Sequence, residues 1–120
     1  MATFSDAKEF FLIEIENTAL WRTKKAQEYP HDRQRNMKAN YILLELYDYV
    51  EKLSEDHPIF LWWHSPDDEQ FKINISHEIR MFGFQNQSEF IEDFVERLGK
   101  EISEKLDDFL ENYDNEDQLI

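Results

Sequence analysis

Four histidines (His31, His57, His64 and His77) and 27 acidic residues are the side chains of this 120-residue chain that can move protons or hold a metal ion. Cysteine is absent, which removes a thiolate nucleophile, Cys-ligated zinc and any disulfide. Ser76 and His77 adjoin, a nucleophile and a base by type. Acid pairs at i, i+3 occur at Glu45/Asp48, Glu89/Glu92 and Glu104/Asp107. That spacing sets both carboxylates on one helix face, and two facing pairs can hold Mg²⁺ for phosphate-ester hydrolysis.

Each constellation meets a geometric objection. No two histidines stand at i, i+4, and there is no HExxH. His57, beside Asp56, reads as a solvated or capping residue. Ser76 and His77 on one helix diverge by about 100°, too far to share a proton. Glu89/Glu92 and Glu104/Asp107 resemble the ExxE and ExxD pairs of helical magnesium-dependent nucleotide pyrophosphatases. In those enzymes the pairs face each other from two helices, whereas here both fall on one. Glu45/Asp48 lies on a different helix and keeps a metal-dependent nucleotide hydrolase as a second alternative. His31-Asp32 resembles the ligand pair of HD phosphohydrolases, whose site also needs an earlier His. None precedes His31, so Asp32 reads as a helix cap. There is no phosphate-binding glycine loop and no G-x-S-x-G. The reading is therefore non-enzymatic, with no catalytic residue, metal or cofactor expected.

The elements predicted to position these residues are helical. Two glycines leave few sites for the turns of a hairpin-rich fold. A first helix starts near Ser5 or Asp6 and runs to Glu28, where Tyr29-Pro30 stops it. Its broad apolar face holds Phe10, Phe11, Ile13, Ile15, Thr18, Leu20 and Trp21. A second runs from Arg33 to Leu53 behind an Asp32 cap. Its seam is Ala39, Leu43, Leu46, Val50 and Leu53, widened by Tyr41, Ile42 and Tyr49. A short helix spans Pro58 to His64 with Asp56 as cap. Ser65-Pro66-Asp67-Asp68-Glu69 then announces another helix, with Ser65 at N-cap, Pro66 at N1 and Gly83 as the C′ residue. The last helix runs from Ser88 to Tyr113 after an Asn86/Glu89 capping pair. Its stripe is Ile91, Phe94, Val95, Leu98, Ile102, Leu106, Phe109 and Tyr113. The expectation is one all-α domain over 1–120, a compact bundle of four long helices and one short one, with 114–120 a frayed acidic tail. The alternative is α+β, with a hairpin within 59–82, because Phe71, Ile73 and Ile75 also alternate as a strand would.

Charge decides the expected partners. The net charge is −14, yet Arg22 to Lys38 holds six bases (Arg22, Lys24, Lys25, Arg33, Arg35, Lys38) against two acids. This patch is expected to pair with the acidic C-terminal helix, of the same chain or of a second copy. The whole field repels nucleic acid and anionic membrane and attracts basic proteins. The longest apolar run, Ile59 to Trp63, is far short of the roughly 20 residues that cross a bilayer. No basic leader opens the chain, so the expected compartment is the cytoplasm.

The function read from these residues is a non-enzymatic acidic protein-binding domain. An inhibitor, immunity protein or antitoxin acting on a basic partner fits that description, as does a mimic of nucleic acid. Glu92, Asp93, Glu96, Asp107 and Asp108 supply the electrostatic face, and Phe60, Trp62 and Trp63 are the expected apolar anchors. The first alternative is a structural subunit or homodimer with those tryptophans across a two-fold axis.

Overall fold

The computed structural model describes residues 4–65, 68–85 and 91–118, with side chains for 6–63, 65, 68–83 and 91–111. Four helices carry the fold: α1 (Phe4–Glu28), α2 (Arg33–Glu51), α3 (Glu69–Gln85) and α4 (Ile91–Gln118). Among the described residues two 3-10 segments, Pro30–Asp32 and Pro58–His64, accompany them. Among the described residues there is no strand, so 69–85 takes the helical option.

The pair α1–α2 forms because each buries a stripe of small or branched residues. On α1 the buried face is Ala7, Phe11, Ile15, Thr18, Ala19, Arg22 and Ala26. On α2 it is Asn36, Ala39, Asn40, Leu43, Leu46 and Val50. Alanines let the two backbones approach, and that displaces the larger side chains. Ile13, Leu20 and Trp21 of α1, expected inside, are exposed, as is Tyr41 of α2. Lys8 Nζ donates to the Leu53 carbonyl at 3.0 Å and tethers the far end of the pair.

Local start and stop signals are partly reassigned. Asp32 makes no side-chain cap; its carbonyl instead accepts a bond from Asn36 Nδ2 at 3.1 Å. The segment Pro58–His64 is capped by His57, whose Nδ1 accepts the Ile59 N–H at 3.2 Å, rather than by Asp56. Ser65 closes that segment, its N–H donating to the Trp62 carbonyl. Helix α3 then begins at Glu69, with the Asp68 carbonyl accepting the Lys72 N–H. Helix α1 begins at Phe4, so Ser5 lies inside its first turn and does not stand ahead of it as a cap. The expected caps at Asn86 and Glu89, and the placement of Pro66, lie outside the described residues. Helix α4 passes Tyr113 and runs to Gln118.

Both glycines sit inside helices at crossings. Gly83, expected as a helix end, is buried within α3. A Cβ there would stand 3.0 Å from Leu43 Cδ1 of α2. A Cβ on Gly99 of α4 would stand 3.2 Å from both Pro58 Cβ and Ile59 Cγ2. The Pro58–His64 segment therefore lies tight against α4 while its other side meets α1. Phe11 meets Phe60 edge-on at 5.8 Å, and Phe10 meets Trp62 at 5.6 Å. Covered from both sides, a segment apolar all round belongs in the core. Phe82 and Phe94, 4.5 Å apart, join α3 to α4. The molecule measures 59 × 27 × 25 Å, its length reflecting α4, whose 28 residues span about 42 Å.

Candidate functional site

The apolar stripe of α4 fixes which way its acids point. Phe94, Val95, Leu98, Ile102 and Leu106 are buried, as the stripe predicts. Residues on the opposite side must then face water, and Glu92, Asp93, Glu96, Glu104, Asp107, Asp108 and Glu111 are all exposed. Few of these carboxylates are engaged. His57 Nε2 lies 3.3 Å from Glu96 Oε1. Because Nδ1 of the same ring accepts the Ile59 amide, Nε2 carries the proton and donates to Glu96. Arg97 links to Glu101 at 3.2 Å and crosses to Glu78 of α3 at 3.3 Å. It thus interrupts the acidic surface without reaching Asp107 or Asp108.

The field of these acids reaches α2. Tyr49 is half-buried, and its phenol is pushed above the ordinary tyrosine range by burial, and then by the charges of Glu92 and Glu96. The smaller, charge-driven part of that rise shows that the α4 acids are felt across this crossing.

The other charged surface is altered more. Of the six bases, Lys24, Arg33, Arg35 and Lys38 are exposed. Lys25 is half-buried, pairing with Glu28 at 3.3 Å and lying over the rings of Trp21 and Tyr29. Arg22 is only 4% exposed and is not part of a free cationic surface. Its Nη1 donates to Asn36 Oδ1 at 3.0 Å, and its guanidinium lies 4.8 Å from the Trp21 ring. Burial, then the charge of Arg35, lowers its pKa. Beside it, Asn40 Nδ2 donates to the Ala19 carbonyl at 2.8 Å and to Thr23 Oγ1 at 2.9 Å. This buried polar seam was missed from sequence. Its one signal was two asparagines four apart among the stripe positions of α2.

Phe60 and Trp62, expected as surface anchors, are core residues at 0% and 1% exposure, and Trp63 is half-buried. The exposed tryptophan is Trp21. It borders an open groove of about 460 Å³ between α1 and α3, lined also by Glu14, Asn17, Thr18 and Arg80.

The chemistry proposed for other residues finds no constellation. Ser76 donates its hydroxyl to Glu14 Oε2 at 3.0 Å, while His77 is exposed. A carboxylate alone is a poor base for a serine hydroxyl. Among the described residues no three His, Asp or Glu side chains converge to hold an ion, and Glu45 and Asp48 both face solvent. Comparison with known proteins finds no matching family model, no matching curated protein and no matching solved structure.

Proposed function

We propose that this protein is a non-enzymatic binding domain that presents the outer face of α4 to a basic protein partner. The observation that carries the reading is that the core closes without the α4 acids. Leu98, Ile102 and Leu106 are buried while Asp107 and Asp108 stand exposed and make no described ion pair. Residues three or four apart on one helix place carboxylates about 5–6 Å from one another, a ladder suited to a row of lysines or arginines. Such a ladder favours fast encounter and selection of a cationic partner. Inhibition of a basic protein, for example a nuclease whose groove otherwise holds phosphates, is the activity that best suits this face.

Affinity then depends on charge more than on the aromatic cluster, because Phe60 and Trp62 are enclosed. The test is the affinity for a partner recovered from the native host, measured across ionic strength. Binding that weakens steeply between low and high salt supports the reading. Binding unchanged by salt contradicts it.

A further inference from the structure

We infer that the outer flank of the α1–α2 pair is a self-association surface, on which a second copy of this chain packs antiparallel through a two-fold axis. This is independent of the reading of α4, which lies on the other side of the pair's core.

The flank is located by hydrogen bonds and burial. Ala19 and Asn40 meet across the α1–α2 seam, where Asn40 Nδ2 donates to the Ala19 carbonyl at 2.8 Å. One residue back on each helix, Thr18 and Ala39 are buried. One residue forward, Leu20 and Tyr41 are 60% and 61% exposed. In two right-handed helices running antiparallel, equal steps turn toward the same flank. Leu20 and Tyr41 therefore share the flank away from the core. Ile13, two turns before Leu20, and Leu44, one turn after Tyr41, continue it, each 46% exposed. Single exposed apolar residues are ordinary, but four on one flank make a patch. The same helix buries Ala7, Ala19 and Ala26 while leaving Leu20 outside.

Charge selects the occupant. Beyond Ile13 and Leu44, one end of the flank carries exposed Glu9, Asp48 and Glu51, with Lys52 at its border, while Glu16 stands between Ile13 and Leu20. The other end carries exposed Lys24 and Lys38, one turn past Leu20 and one turn before Tyr41. A surface acidic at one end, apolar in the middle and basic at the other is complementary to itself when turned end for end. That is the requirement of an isologous two-fold contact, in which each end meets the opposite end of its copy. Four helices, two from each chain, then enclose the patch.

Sedimentation of the full chain tests the proposal. Wild type should sediment as a dimer at high micromolar concentration. Leu20→Glu with Tyr41→Glu should raise the dimer dissociation constant by more than about tenfold without changing the melting midpoint, because both positions are exposed in the single chain. Lys24→Glu with Lys38→Glu, and separately Glu9→Lys with Asp48→Lys, should each weaken self-association. Mixing the two charge variants should restore a heterodimer. A wild-type monomer throughout the concentration range overturns the proposal. So does a dimer that none of these substitutions weakens, since it would use another face.

Discussion

Arg22 donates from Nη1 to Asn36 Oδ1 at 3.0 Å inside the α1–α2 seam, at a position 4% exposed. A buried guanidinium is costly unless its donors are met, so this bond fixes the register of the two helices where alanines alone would allow sliding. Asn36→Leu keeps the volume and removes the acceptor. It should destabilise the fold by about 2 kcal/mol, read as a lower urea midpoint with unchanged slope. Asn40→Ala removes donors to the Ala19 carbonyl and Thr23 Oγ1 and should act in the same direction.

Substitution of the two glycines should give unequal results. Alanine in a helix interior ordinarily gains about 1 kcal/mol over glycine. At Gly83 the obstacle is the end of the Leu43 side chain, which can turn, so Gly83→Ala should be near neutral. At Gly99 the obstacle is the Pro58 ring, together with Ile59 Cγ2 and backbone nitrogen. Gly99→Ala should lose about 1–2 kcal/mol, since overpacking there forces the 3-10 segment off α4. Equal urea midpoints for the two variants would refute this contrast.

Trp62→Ala and Phe60→Ala should each cost about 3–5 kcal/mol, the penalty of emptying a large core site. Circular dichroism and thermal melts should register the loss before any binding assay does. A variant that keeps wild-type stability would place those rings outside the core.

Alkaline pH should act through Tyr49. Its folded pKa is raised above the unfolded value of about 10. Between the two values the folded state holds more protons, so stability falls as pH rises through that window and its contribution is full below it. Tyr49→Phe should flatten the decline of the melting midpoint above about pH 10 relative to wild type. Identical slopes would show that neither burial nor the acids of α4 raise the folded phenol above its unfolded value.

How much of this was legible varies with the physics involved. The α4 stripe was plain, because Phe94, Leu98, Ile102 and Leu106 repeat at helical spacing and every intervening position is polar or small except Val95, itself buried. The acids Glu92, Asp93, Glu96, Asp107 and Asp108 follow from that stripe by exclusion. On α1 the rule that large apolar residues face inward failed, because the seam uses Ala7, Ala19 and Ala26 for close approach and Leu20 is left outside. Ile59 to Trp63 was misplaced because periodicity cannot show that a segment will be covered from two sides. Gly83 was read by its local stop chemistry, when the approach of Leu43, forty residues earlier in the chain, determines its role.

The account turns on the acids of α4 serving recognition rather than stability. The most direct measurement compares capture of proteins from the native host by wild type and by the Asp93→Asn, Glu96→Gln, Asp107→Asn, Asp108→Asn variant, with melting midpoints in parallel. The account predicts that the variant melts no more than a few degrees from wild type and loses a basic protein that wild type retains. A variant that captures the same proteins as wild type, or one that unfolds, would contradict it.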